Sequence, residues 1–216
     1  MVGACLALAL QACARQAGWR IRLIEASPPG SGAAPTSYDA RSTALSHGSR
    51  LLLARLGVWQ RLSEQAEPIR HIHVSDRGHP GVTRLDARQE RVPALGYVVE
   101  NAWLGEVLLA ALDQQQVEWL APASVTSVRV APGGYALDIQ QASGQQTLET
   151  DLLVLADGGR SGLLEQLAVH RQISPYGQAA IVANISSAHG HAGVAYERFT
   201  DSGPLALLPS LFIHAI

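Results

Sequence analysis

Leu152-Leu153-Val154-Leu155-Ala156-Asp157-Gly158-Gly159-Arg160-Ser161 is the stretch on which the reading of this chain turns. An unbroken apolar run is the pattern of a strand buried on both faces. It passes into Ala-Asp-Gly, and Ser161 stands where it would cap a helix begun by Leu163 and Leu164. Strand, tight turn and helix start bring free backbone N–H groups and the positive end of the helix dipole together, which suits a phosphate-bearing cofactor. Upstream, Met1 to Leu10 reads as a helix opening on Gly3, and Ile21-Arg22-Leu23-Ile24-Glu25 as a strand ending in an acid. The acid follows the glycine by roughly the 20 residues at which a carboxylate meets an adenosine ribose.

The rest of the chain falls into elements around these two landmarks. The pattern predicts a helix over Met1–Ala17 ended near Gly18, and a strand over Arg20–Glu25. Ser27–Tyr38, rich in Pro, Gly and Ser, is a surface loop. Helices follow over Ser46–Arg55, stopped by Gly57, and over Val58–Ala66. Ile69–Ser75 alternates His, Ile, His, Val and reads as one strand with a wet face. Short strands are expected over Val82–Leu85, Leu95–Val99 and Val117–Leu120, with an amphipathic helix over Asn101–Gln115. Val125–Val130, Tyr135–Gln140 and Gln146–Leu148 form a meander, turning at Pro132-Gly133-Gly134 and Ser143-Gly144. Leu152–Ala156 is expected as a fully buried strand, and Gln178–Ser186 and Ala195–Phe199 as strands of a second sheet. Alternating helices and strands followed by a strand-rich stretch mean an α/β domain joined to an antiparallel or mixed sheet, α+β overall.

Composition narrows the function classes. All sixteen cationic side chains are Arg, against eighteen acidic ones, for a net charge of −2. The absence of Lys excludes a Walker-type phosphate lysine and Schiff-base chemistry. No clustered basic face marks a nucleic-acid footprint. Cys5 and Cys13 lack metal or redox spacing and read as free thiols in packing. No Cys or carboxylate joins His71, His73, His79, His189 and His191 in a zinc pattern, so no metal is expected. Ser161 has no nucleophile-elbow motif around it, which leaves a hydrolase triad unsupported. The apolar start lacks the basic segment of a secretory signal and is too short to span a bilayer.

The chain resembles the flavin-dependent aromatic hydroxylases of the p-hydroxybenzoate hydroxylase fold, and within them the ubiquinone-biosynthesis branch. The residues that carry the resemblance run almost end to end. They are Leu23-Ile24-Glu25-Ala26, Asp39 to Leu45, Leu56-Gly57-Val58-Trp59, Ser75-Asp76-Arg77-Gly78-His79, Gly96 to Asn101, Ala156-Asp157-Gly158, Glu197 to Thr200 and Gly203 to Pro209. The Ser75–His79 and Gly203–Pro209 runs are the most specific to the branch.

The resemblance implies a Rossmann-like FAD-binding domain with an inserted and following substrate sheet, truncated at both ends. It implies a start inside a Gly-x-Gly-x-x-Gly turn whose last glycine is Gly3, and a stop before a second flavin motif. On that basis a chain lacking the first strand is expected to hold FAD poorly by itself. Residues 1–68 and 93–172 would bind FAD, and residues 69–92 and 173–216 would contribute to the substrate domain.

The resemblance assigns cofactor roles to Gly3, Glu25, Arg41, Asn101, Val125 (through its backbone), Asp157 and Gly158. Arg160, read from the residues alone, stands equally as an aid to a phosphate and as a solvated side chain. Tyr196, Phe199, Gly203 and Pro204 fall on the substrate side, and no residue is singled out as catalytic. The implied reaction is hydroxylation of a polyprenylated phenol with NAD(P)H and O2 through a flavin C4a-hydroperoxide. It would run at the cytoplasmic face of a membrane without spanning it, alongside other ubiquinone-biosynthesis proteins. A hydroxylase of another phenol and a non-catalytic dinucleotide-binding or interaction fragment are the alternatives.

Overall fold

The computed structural model describes residues 1–27, 41–115, 117–159 and 161–211. In chain order the elements begin α1 (Val2–Ala17), β1 (Arg22–Ile24), β2 (Ser42–Ser46), α2 (His47–Arg55) and α3 (Trp59–Leu62). A single 3-10 turn, Ser63–Gln65, leads to β3 (Ala66–Ile69), β4 (His71–Asp76), β5 (Val82–Asp86) and β6 (Gly96–Glu100). Then come α4 (Asn101–Gln114), β7 (Glu118–Leu120), β8 (Ala123–Ala131), β9 (Gly134–Gln141) and β10 (Gly144–Thr150). The last are α5 (Leu163–Gln166), β11 (Val194–Phe199) and β12 (Leu205–Leu207). Contacts divide the chain into two units: Met1–Ala33 with Leu108–Ala180, and Ala34–Val107 with Ile181–Ile216. The loop expected over Ser27–Tyr38 falls, from residue 28 on, outside the described residues, and so does Arg160.

In the first unit, α1 ends where the pattern predicts. Gly18 adopts a left-handed φ of 69° and its N–H, with that of Trp19, returns to the Ala14 carbonyl. This closes the orphan carbonyls of the last turn. β1 pairs in parallel with β7, Arg22 opposite Glu118 and Ile24 opposite Leu120. The meander β8-β9-β10 is present, longer than expected on every strand, with a bulge between Val125 and Ser127. Its core is Ala123, Val128, Leu137, Ile139 and Leu163.

The run 152–156 departs from expectation. It joins no ladder, and its side chains alternate: Leu153 and Leu155 pack on the meander core, while Leu152 is 71% and Val154 50% exposed. A strand needs a hydrogen-bonded neighbour, and none stands beside this run among the described residues. Gln178–Ser186 departs in the same way. It forms no strand, and Ile181 and Val182 lie open to solvent.

The second unit holds two sheets, β2-β6-β3 and β12-β11-β4-β5. α2 begins as the sequence dictates, the Ser46 hydroxyl oxygen accepting from the Ser49 N–H at 3.1 Å. Arg61 carries its guanidinium over the Trp103 ring and pairs with Glu106 at 2.9 Å, while Trp103 Nε1 donates to the Leu62 carbonyl. The strand expected over Ile69–Ser75 is two strands in different sheets. The Gly193 carbonyl accepts from both the Arg70 and the His71 N–H, and these two bonds turn the chain between β3 and β4. β2 and β12 were not expected as strands. β2 exists because β6 offers it a five-residue antiparallel register, and β12 because β11 offers one of three. No helix of the described residues is long and apolar enough to cross a membrane.

Asp138 ties the meander together. Its carboxylate accepts from the Ser127 hydroxyl at 2.6 Å, the Thr147 hydroxyl at 2.7 Å and the Arg129 guanidinium at 3.1 Å, so all three strands meet on it. The Ser127 hydroxyl, then Thr147 and Arg129, hold its pKa down from 3.8 to about 2. A depressed carboxyl stabilises the fold above its unfolded value, and the gain is lost as pH falls through the folded one. Thermal melts are therefore expected to show a loss of stability between about pH 4 and about pH 2. Asp138→Asn should melt lower than the parent at neutral pH and lose that acid-range slope.

Candidate cofactor and substrate sites

The first unit brings two other stretches of chain to the first turn of α1. A Cβ placed on Gly3 would stand 3.3 Å from the Cβ of Ala156 and 3.7 Å from a methyl of Leu23. The glycine therefore sits between β1 and the 152–156 run. Leu23 precedes Glu25 by two residues, and Ala156 precedes Asp157 by one.

Glu25 is held by its backbone. Its N–H donates to the Leu120 carbonyl at 3.0 Å and its carbonyl accepts from the Ala123 N–H at 2.9 Å. The side chain is exposed, with Oε1 accepting from the Ser27 N–H at 3.2 Å. A carboxylate is thus fixed just beyond the carboxyl end of a parallel strand, where open α/β sheets bind their ligands. Val125 is half-buried beside the same core, opposite Ile139 and immediately before the bulge.

Asp157 shapes its own turn. Its two carboxylate oxygens accept from the Gly159 N–H at 2.8 Å and the Ser161 N–H at 3.1 Å. The Ser161 hydroxyl, followed by the Gly159 N–H, holds its pKa below the ordinary carboxylate value. Gly158 and Gly159 both have φ near +70°, a conformation glycine adopts without a Cβ penalty. The helix expected after this turn is short: α5 has four residues, and the Ser161 hydroxyl accepts from the Leu163 N–H at 3.3 Å. The dipole of one turn is small, so this stretch offers turn N–H groups more than a helix N-terminus.

Within the second unit Arg41 and Asn101 are neighbours. The Asn101 N–H donates to the Arg41 carbonyl at 2.9 Å, and Asn101 Oδ1 accepts from the Thr43 hydroxyl at 2.5 Å. The Arg41 side chain is exposed. In the same unit Tyr196 and Phe199 lie on β11, three residues apart, so they leave opposite faces of the strand. They are 47% and 46% exposed. Gly203 closes the turn to β12, exchanging backbone bonds with Thr200 and also accepting from the Thr200 hydroxyl at 2.7 Å; Pro204 enters the strand.

One further side chain joins this group. His73 on β4 is in register with Tyr196 across the parallel pair, and their rings lie 5.6 Å apart. The alternation of His71 and His73 signalled a wet strand face; the pairing partner was not readable. Among the described residues no group of three His, Cys, Asp or Glu is placed to hold a metal ion.

Comparison with known proteins found no matching family model. Ubiquinone hydroxylase UbiL of Rhodospirillum rubrum is 33% identical over 210 residues, covering 97% of this chain and 47% of that protein. The 3-demethoxyubiquinol 3-hydroxylase of Escherichia coli is 28% identical, covering 97% of this chain and 52% of its own length. The human mitochondrial ubiquinone biosynthesis monooxygenase COQ6 is 27% identical, with 97% and 46% covered. The chain thus spans about half the length of the curated relatives it matches.

Among solved structures, the tetrameric form of 2-methyl-3-hydroxypyridine-5-carboxylic acid oxygenase superposes with a TM-score of 0.62 at 16% identity, over 96% of this chain and 56% of that one. The p-nitrophenol 4-monooxygenase PnpA of Pseudomonas putida superposes with a TM-score of 0.60 at 17% identity, over 77% and 40%. The flavin-dependent monooxygenase PieE, solved with FAD and substrate, gives 0.58 at 23% identity, over 76% and 30%. These likenesses establish a mixed α/β fold of the p-hydroxybenzoate hydroxylase type.

The Gly3 contact is open to direct test. Gly3→Val adds branches at the point where Ala156 already stands at contact distance. It is expected to lower stability by about 1–3 kcal/mol, the usual cost of overpacking. Gly105→Val, on a helix where a Cβ would meet nothing within 4 Å, is the comparison. Equal melting temperatures for the two variants would show that α1 does not need the close approach.

Proposed function

We propose, from the kinship of this chain to the ubiquinone-biosynthesis hydroxylases, that it supplies FAD-binding and substrate-side elements of a flavin-dependent monooxygenase acting on a polyprenylated phenol. The observation that carries the reading is the packing at Gly3. A bare glycine at the first turn of a helix, wedged against a parallel strand that ends in a fixed carboxylate, is the arrangement that receives a dinucleotide. The residues present fit FAD, because a Cβ at Gly3 would fill the close approach and Glu25 projects an acceptor into solvent.

In this reading Glu25 takes the adenosine ribose hydroxyls and Gly3 lets α1 approach. Val125 meets the adenine through its backbone. Arg41 and Asn101 address the pyrophosphate, the guanidinium by its fixed fork of donors. Asp157 holds the turn whose Gly158 lies at the flavin end. Residues 1–68 and 93–172 form the FAD-binding part, and residues 69–92 and 173–216 belong to the substrate side. Bound FAD would supply the redox chemistry, drawing reducing equivalents from NAD(P)H and using O2 to hydroxylate the ring. The chain's own task is to bind, orient and exclude water.

Tyr196, Phe199, Gly203 and Pro204 would form the substrate side, where apolar burial holds a prenyl tail. The resemblance to the ubiquinone-biosynthesis branch, in particular to 2-octaprenyl-6-methoxyphenol hydroxylase, makes that phenol the first to try. A tail of this kind brings the reaction to the cytoplasmic membrane face, beside other proteins of ubiquinone biosynthesis.

Flavin fluorescence titrations of a form extended to the length of the curated relatives, and of Glu25→Ala in that form, with FAD and with FMN, test the assignment. Loss of a charged hydrogen bond should weaken FAD by about 1–3 kcal/mol. FMN, which lacks the adenosine, should bind both proteins alike. An unchanged FAD affinity would remove Glu25 from the site.

A further inference from the structure

The sheet β12-β11-β4-β5 presents one row of side chains whose chemistry changes along its length. Leu207 is opposite Tyr196 across the β12–β11 pair, Tyr196 is opposite His73 across β11–β4, and His73 is opposite Arg84 across β4–β5. Directly opposed residues share a face, so the four stand side by side across four strands. In the next row on that face Leu205 is opposite Arg198. Leu207, Leu205 and Tyr196 are 42%, 58% and 47% exposed, and Arg84 is exposed at the far end. The row runs from apolar through aromatic and imidazole to cationic.

The other histidines near it are engaged differently. His71 faces Asp86 at 3.5 Å and His79 faces Asp76 at 3.0 Å. His73 instead lies against the Tyr196 ring, at 5.6 Å and 42°. A neutral imidazole offers one donor and one acceptor, and its acceptor nitrogen takes the hydrogen bond that a phenol O–H donates.

We infer that this row sets the direction in which an elongated phenol lies: tail over Leu205 and Leu207, ring against Tyr196, oxygen at His73 with Arg84 beyond it. The inference rests on the hydroxylase reading above and adds to it a direction and a polar anchor. His73 is here a specificity-determining residue, since a ring without the hydroxyl leaves its imidazole unpaired.

The probes are 2-geranylphenol and its methyl ether, which keeps ring and tail but cannot donate. Each is titrated into the 216-residue chain while the His73 and Tyr196 ring signals are followed by proton–carbon NMR. The phenol should move both signals. The ether should move Tyr196 alone and bind about tenfold more weakly, the effect of one well-placed hydrogen bond. His73→Phe should erase the difference between the probes, and His73→Gln, which keeps a donor and an acceptor, should retain most of it. Equal binding of phenol and ether by the parent chain would overturn the anchor while leaving the apolar wall standing. Shifts confined to other parts of the chain, or no binding of either probe, would overturn the anchor and the substrate-side assignment together.

Discussion

The close approach of α1 to β1 and to the 152–156 run is the constraint on which the first unit depends. A helix crossing a parallel strand normally keeps a side-chain layer between the two backbones. At Gly3 that layer is missing, and Ala156 and Leu23 close on the helix instead. Leu23 and Ala156, which meet there, stand just before two acids far apart in the chain. Each acid is fixed in its own way. Glu25 is locked through backbone bonds to Leu120 and Ala123, and its side chain stays free to accept. Asp157 spends its carboxylate on two N–H groups of its turn, so its contribution is to the shape of the backbone.

A second constraint organises the other unit. The Gly193 carbonyl takes two successive N–H groups, from Arg70 and His71, and so converts what would be one strand into members of two sheets. The joint is reinforced by the His191 ring, whose Nδ1 accepts from the Gly193 N–H at 3.0 Å and lies 4.0 Å from the buried Glu67 carboxylate. Ile69, Val98 and Ala195 fill the apolar space beside it, with Ile72 packed against them. This covered face leaves the opposite face of β11 and β4, with Tyr196 and His73, open.

Helices α1, α2 and α4 were legible because their signals are local, whereas the helix expected over Val58–Ala66 is α3 and a 3-10 turn running into β3. Ser46 and Gly18 bond to groups within a turn of themselves, so a few residues suffice to place the ends of α2 and α1. The meander was legible for a related reason: its turns contain glycines and its strands pair with chain neighbours. The strands that misled, or were missed, depend on partners from elsewhere. Leu152–Ala156 and Gln178–Ser186 have apolar composition without a ladder. Ser42–Ser46 and Leu205–Leu207 have modest composition and become strands through β6 and β11. The site divides along the same line. Glu25 and Asp157 were singled out as candidates by spacing and turn chemistry, whereas the meeting of His73 with Tyr196 depends on a parallel pairing between strands far apart in the chain.

The amino-acid sequence by itself determined the class of fold, the ends of α1 and α2, the acid after the first strand and the Asp-Gly turn. Each of these follows from backbone bonding or side-chain period over a short window. The tertiary structure alone decided which apolar runs became strands, where the chain changed sheets at Arg70, and that Gly3 touches Ala156. It also decided that Tyr196 shares a face with His73. Such facts belong to pairs of segments, because a strand's hydrogen bonds and a glycine's close contact both require a partner that no local pattern specifies.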